Sequence, residues 1–502
     1  MTKQRPHWWI LGIWPVVVLL LDQPGRSNAD TKYDLLTDPG RLMSAALSTW
    51  NESLHGGWVL QQHAGYLWPS GPFFWMTEAF PDWVQQRLWI ALIIALAGLG
   101  ARWAGALLGL GSASAVVAGI VYQLSPYTVP YISRTSAMLL PWAVAGWVLG
   151  TAILATRGPW PRPIAIMALL IASAGGVNST AIVMITPLPL LWFYWSYRCG
   201  ERSGVHAFGL AVASGVASLL ASAWWVASAV IGSRYGPDLL GFSETLRDVS
   251  STSTAVEVVR GSGYWLTYVV ETSGVTTSAN GRFLTEYPLV VVTTFVVAFA
   301  GLIGAFWHRW EHRGFAALCV LVGVTLGVGV HPIDNSSPVG RVLLRVVPDG
   351  ALIALRSSSR AVPLLLLISA IGVGRLVSGL RLRPVAAVTI PIVGMCAAPW
   401  FLIGSVVDPA LERPQHPPQG WDELLRAAEA FDRLLVIPGS EFSTFSWGHT
   451  QDPPWTSHVD VLTRELLPLG SPDRMDLLLA PDDSIQDGVF DPHGLSRSEE
   501  HT

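Results

Sequence analysis

The stretch Ala29-Asp-Thr-Lys-Tyr-Asp-Leu-Leu-Thr-Asp-Pro-Gly40 decides how the rest of the chain is read. It sets Asp30, Lys32, Asp34 and Asp38 directly after the first apolar segment. Chains that sit in a bilayer seldom carry such a density of charge beside a span unless it meets solvent or a polar ligand. Asp38 is explained locally: an Asp followed by Pro39 reads as an N-cap with proline in the first helical position. Met43, Ala46, Leu47 and Trp50 then recur at helical spacing, which predicts a short amphipathic helix on the membrane surface. Asp30 and Asp34 are four residues apart, so a single helical turn is able to present both. They are the candidates for chemistry.

Working outward, the composition makes this a polytopic membrane protein: of 502 residues, 51% are hydrophobic and only 13% charged, where soluble domains carry about 25%. The 24 tryptophans suit interfacial belts. A net charge of −4 leaves no basic footprint for nucleic acid. Cys199, Cys319 and Cys396 are scattered and suggest neither a disulfide framework nor a metal site.

On the N-terminal side of the acidic stretch, Lys3 and Arg5 precede an apolar run from Trp8 to Leu21, shorter than the ~20 residues a span needs. A signal peptide cleaved before Asp30 competes with a retained anchor; the anchor is favoured because every later segment is membranous. Both readings put Asp30 outside the cytoplasm. Ten further apolar runs follow, near 86–101, 113–124, 137–155, 163–174, 179–196, 207–230, 288–307, 314–330, 361–379 and 384–404, so the expected total is about eleven spans. With the N-terminus inside, every inner loop bears arginine: Arg102, Arg157 with Arg162, Arg198 with Arg202, Arg309 with Arg313, and Arg381 with Arg383, as the positive-inside rule requires.

The outer face receives the long connections 22–85, 231–287 and 331–360 and the tail after 405. Loops of that length gathered on one face point to an active or binding surface. Their carboxylates (Asp30, Asp34, Glu244, Glu257), cations (Lys32, Arg260, Arg356, Arg360) and aromatics suit transfer of a sugar from a lipid phosphate. Asp30 would act as general base on the acceptor hydroxyl with Asp34 in support. Lys32, Arg260, Arg356 and Arg360 would hold the departing phosphate. Gln61, Gln62, Tyr66, Trp68, Glu257 and Trp265 would hold the acceptor. Plainer readings stand beside these: Arg356 and Arg360 snorkelling at a span end, the aromatics as belt residues, and Glu257 with Arg260 as a helix pair. No metal is expected, and no cofactor is required beyond a lipid-linked donor. A transporter or flippase of a lipid-linked saccharide is the competing class; Gly175-Gly-Val-Asn178 and Thr186-Pro-Leu-Pro189 supply its broken-helix cues. In the tail, Gly420–Phe431 reads as a helix and Leu434–Ile437 as a strand, the expected opening of an α/β soluble domain that is cut short.

Several stretches together resemble a known family. Asp30-Thr-Lys-Tyr-Asp34, Asp38-Pro-Gly-Arg41, Gly65-Tyr-Leu-Trp-Pro-Ser-Gly-Pro-Phe-Phe74 and Val84-Gln-Gln-Arg-Leu-Trp89 look like the N-terminal membrane region of actinobacterial AftD-type arabinofuranosyltransferases. Leu124-Ser-Pro126, Leu140-Pro-Trp142, Gly175-Gly-Val-Asn178 and Glu257-Val-Val-Arg-Gly-Ser-Gly-Tyr-Trp265 continue the resemblance in order, over roughly residues 5–450. It implies an all-α GT-C glycosyltransferase fold over 1–404, with 405–502 beginning an extracytoplasmic domain. It further implies decaprenyl-phosphate-arabinose as donor, an arabinan chain as acceptor, and inversion at the anomeric carbon at the outer face of the plasma membrane. The chain departs from the family pattern at Ser357-Ser-Ser-Arg-Ala-Val-Pro363, where only Arg356 beside it clearly matches.

Overall fold

The computed structural model describes residues 7–30, 32–51, 58–59, 64–235, 244–269, 278–306, 310–346, 356–380, 406, 408–436, 443–451, 454–457, 459–462, 484 and 487–488. It is predominantly helical. Among the described residues, six helical stretches are long and apolar enough to cross a membrane: Asp82–Leu107, Ser136–Arg157, Ser179–Arg198, Gly204–Ala221, Pro288–Phe306 and Ser358–Gly379. Three shorter apolar helices, Ile10–Leu21, Pro161–Gly175 and Arg313–Val328, match further expected runs. The remaining expectations are met differently. The run near 113–124 is the helix Ser112–Gln123, buried from Ser114 onward rather than facing lipid. The run near 207–230 is two helices, Gly204–Ala221 and Ala223–Tyr235. The run near 384–404 lies outside the described residues.

The chain divides into two compact units: Met1–Gln23 with Arg87–Ala223 and Glu244–Ala410, and Pro24–Gln86 with Trp224–Ser243 and Leu411–Thr502. The sequence reading separates 1–404 from 405–502 in chain order; the compact units instead group the tail with the first long connection.

In the first unit, close helix packing follows from small residues. A Cβ on Gly304 would run into the Gly372 carbonyl, and one on Gly146 into the Gly100 backbone; such pairs let membrane helices approach closely. Polar side chains join the helices where the backbone demands it. Pro15 lies inside Ile10–Leu21 and has no N–H to give the Leu11 carbonyl one turn earlier. The buried Gln123 amide supplies that bond at 2.8 Å, donates to the Ile94 carbonyl at 3.0 Å, and accepts from the Trp14 indole at 2.8 Å. Arg157 donates to the Leu107 carbonyl at 2.8 Å, capping a helix end whose carbonyls lack intrahelical partners.

In the second unit, the strand Arg26–Asn28 pairs antiparallel with Glu412–Pro414, Ser27 opposite Arg413. Gln86 extends this ladder like a further strand, accepting from the Asn28 N–H and donating to the Asn28 carbonyl, both at 3.0 Å. Arg413 is fully buried, its guanidinium 4.5 Å over the Tyr33 ring. The tail helix is Gln419–Ala428, and the strand expected at 434–437 is Arg433–Leu435, paired parallel with Asp460–Leu462. Leu425, Ala428, Trp455, Val459 and Val461 form its core.

Candidate functional site

The acidic stretch belongs to the second unit. Asp38 is the cap that its sequence implies: its Oδ1 accepts from the Arg41 N–H at 2.8 Å, with Pro39 first in the helix Pro39–Ala46. The face presented by that helix differs from the expected one, since Leu42 and Ala46 are buried while Leu47 and Trp50 are exposed. The shared turn for Asp30 and Asp34 does not form. The helix here is Tyr33–Thr37, so Asp34 stands in its first turn, where a carboxylate suits the helix dipole. Asp30 stands before it, its N–H bonded to the Asn28 carbonyl at 2.8 Å. The reason is nonlocal: strand pairing of 26–28 with 412–414 fixes an extended backbone up to Ala29, whose N–H reaches the Leu411 carbonyl at 2.9 Å. Asp30 is only 5% exposed, unusual for a carboxylate. Lys32 and Asp34 are half-buried. Tyr66 is buried within the turn Gly65–Leu67, whereas Trp68 is exposed. Gln61 and Gln62 lie outside the described residues.

The first unit holds a second polar group. Glu257 sits on the short helix Ala255–Val259, capped by Thr254. Arg260 grips it in a fork: Nε to Oε1 at 3.0 Å and Nη2 to Oε2 at 2.6 Å. Nη1 of Arg260 donates to the Leu284 carbonyl at 2.8 Å. Tyr268 adds its hydroxyl to Glu257 Oε2; burial, then that bond, push its phenol up to about 12. The chain then turns sharply through Gly261 (φ +87°) and Gly263 (φ +96°), a backbone that only glycine adopts readily, and delivers Tyr264 and the half-buried Trp265.

Beyond that turn, Arg356 faces Glu244 at 3.7 Å, and Arg360 Nη1 donates to Asn178 Oδ1 at 3.1 Å. Tyr127, Tyr131 and Tyr264 form a row of tilted rings with centroids 5.0 and 4.8 Å apart. Burial raises their hydroxyls above the ordinary tyrosine range, strongly so at Tyr127 and Tyr131, and the Arg360 charge opposes this at each. Sequence reasoning missed the three tyrosines, Tyr268 and Arg360's bond to Asn178. Only the Tyr127/Tyr131 spacing of four gave any local signal.

The structure thus brings together Glu257 with Arg260, Glu244 with Arg356, and Arg360 with a group of tyrosines, all in one unit; Asp30, Lys32, Asp34 and Tyr66 share the other. A carboxylate buried on an irregular segment and arginines grouped with phenols are parts suited to handling a charged, hydroxyl-rich substrate.

Comparison with known proteins gives these parts a family. The model of the N-terminal GT-C domain of alpha-(1->3)-arabinofuranosyltransferase matches residues 14–497. The curated alpha-(1->3)-arabinofuranosyltransferase of Mycolicibacterium smegmatis is 28% identical over 507 residues, covering 94% of this chain and 34% of that protein. Its counterpart in Mycobacterium tuberculosis is 29% identical over 528 residues, covering 95% of this chain and 35% of that protein. The chain therefore spans about a third of the length of the curated relatives it matches. A cryo-EM structure of the arabinofuranosyltransferase AftD from Mycobacteria superposes with a TM-score of 0.73 at 24% identity, over 97% of this chain and 33% of that one, which shows the shared fold. With nearly its whole length matched, this multi-pass membrane protein belongs to the family of the alpha-(1->3)-arabinofuranosyltransferase N-terminal GT-C domain.

Proposed function

We propose that the protein transfers arabinofuranose from decaprenyl-phosphate-arabinose to an arabinan acceptor at the outer face of the membrane, with inversion. The family match over residues 14–497 carries this reading. Inversion in one displacement needs one base for the attacking hydroxyl and cations for the departing phosphate. Asp30 is the base: it is nearly buried at the head of the acidic stretch, and a positioned carboxylate suits proton abstraction from the attacking hydroxyl. Asp34, in the following helix, orients Lys32 or the sugar hydroxyls. Arg356 and Arg360, with Lys32, take the phosphate. Arg260 was assigned the same work from the sequence, but three of its donors are committed to Glu257 and Leu284, which favours its holding Glu257 in place for the acceptor. Tyr66, Trp68 and Trp265, with Gln61 and Gln62, complete the acceptor contacts.

The test is purified protein in detergent or nanodiscs with labelled decaprenyl-phosphate-arabinose and a short arabinan. The expected result is an extended acceptor and released decaprenyl phosphate. Movement of the labelled lipid across a vesicle membrane without any transfer would assign the protein to transport instead.

A further inference from the structure

The stretch Gly175-Gly-Val-Asn178 breaks the chain between the helices Pro161–Gly175 and Ser179–Ile185. Asn178 does two things at that break. Its Oδ1 accepts from the Ala181 N–H at 3.1 Å, capping the second helix, and from Arg360 Nη1 at 3.1 Å. Two donors on one atom fix which end of the amide is oxygen. The other end, Nδ2, is buried and has no hydrogen-bond partner among the described residues. Neither has Arg360 Nε, nor the Oγ of neighbouring Ser359. Asn178 and Ser359 are 3% and 2% exposed. Native folds rarely leave several buried donors unmatched in one place.

These groups are held, not loose. Ser359 and Arg360 lie on the turn Ser358–Ala361, which Ser358 pins through its bond to the Gly327 carbonyl at 3.1 Å. Ser359 also lines a small cavity with Tyr127, Ser262 and Tyr264. The three unmatched groups are donors carried by a guanidinium, its hydrogen-bonded neighbour Asn178 and its chain neighbour Ser359. Donors of this kind suit an acceptor-rich anion, and a phosphoryl group presents several oxygens to such a set.

We propose that Asn178 is a phosphate-positioning residue: its Oδ1 aims Arg360, and its Nδ2–H, with Arg360 Nε and Ser359 Oγ, binds the phosphoryl oxygens of the polyprenyl phosphate. This rests on the proposed donor chemistry and adds residues to it that the sequence reading did not assign.

Asn178→Asp separates this role from a cap alone. Aspartate caps a helix as well as asparagine does and still pairs with Arg360, but it has no N–H and adds a negative charge. Binding of decaprenyl phosphate to the purified full chain is measured at equilibrium, beside thermal unfolding. Asn178→Asp is expected to weaken binding by about tenfold or more, and to raise KM for the lipid donor more than it lowers kcat, with the unfolding temperature close to wild type. Ser359→Ala weakens binding by a smaller factor and serves as the second variant should Asn178→Asp unfold. Inorganic phosphate displaces the lipid from wild type and chloride at equal ionic strength does not, which separates headgroup recognition from tail binding. Wild-type affinity in both variants would overturn the role of Asn178 and its cluster. Failure of the wild type itself to bind decaprenyl phosphate would instead sink the donor chemistry on which the role rests.

Discussion

At the scale of single residues, Arg260 shows how a site side chain is read differently once its partners are visible. In sequence it is one of four cations equally able to face a phosphate; in the fold it is 3% exposed and forked onto Glu257. Arg260→Met leaves Glu257 without its charge partner and should destabilise the protein by about 3 kcal/mol, the lower end for a broken buried pair because Glu257 keeps some solvent access. Thermal unfolding in detergent checks this, and an unchanged unfolding temperature would contradict it. Tyr268 gives a pH signature. Its folded phenol is raised to about 12 from an ordinary value near 10, so the unfolded chain loses this proton first. The stability it contributes is complete below pH ~10 and is lost as pH rises toward about 12. Tyr268→Phe should flatten that part of the stability profile; an identical alkaline slope in both proteins would count against the bond. What was legible here was local. The Asp38-Pro39 cap follows from two adjacent residues and is present. The turn shared by Asp30 and Asp34 is not, because its backbone is set by pairing with residues 412–414, which no local pattern announces.

At the scale of elements, hydropathy located most spans, since a helix in lipid must satisfy its own backbone and cover it with apolar side chains. It could not tell a lipid-facing helix from one enclosed by others. Ser112–Gln123 has the same apolar character as its neighbours but is wholly buried from Ser114. Nor did it identify Gln123 as the partner of the carbonyl that Pro15 leaves open. Gln123→Leu removes three interhelical bonds at nearly constant volume and should cost about 1–3 kcal/mol, read as a lowered unfolding temperature. Helix packing offers a paired test. Gly304→Leu forces a side chain into the Gly372 backbone, whereas Gly209→Leu meets open space. The first should destabilise by about 1–3 kcal/mol or prevent folding, and the second should be nearly neutral. Equal effects would contradict the packing described.

At the scale of the whole molecule, the membrane class and family were readable from composition and motif order, and both stand. The grouping of the tail with residues 24–86 was not readable, because it depends on strand pairing and the Arg413–Tyr33 contact between segments nearly four hundred positions apart. The arginine-bearing loops predict an outside location for the acidic stretch and the tail. In a Cys199→Ser background, Ser48→Cys and Glu429→Cys, both at exposed positions, should label with an impermeant reagent on intact cells; labelling only after permeabilisation would reverse the topology. The proposed chemistry itself turns on Asp30. The decisive measurement is the initial rate of arabinose transfer from labelled decaprenyl-phosphate-arabinose at saturating donor, comparing wild type with Asp30→Asn and Asp34→Asn, with thermal unfolding as the folding control. Asp30→Asn keeps size and removes the base, so its rate should fall by about 10²–10⁴-fold with the fold intact, and Asp34→Asn should lose less. A folded Asp30→Asn protein that transfers arabinose at near wild-type rate would contradict the assignment.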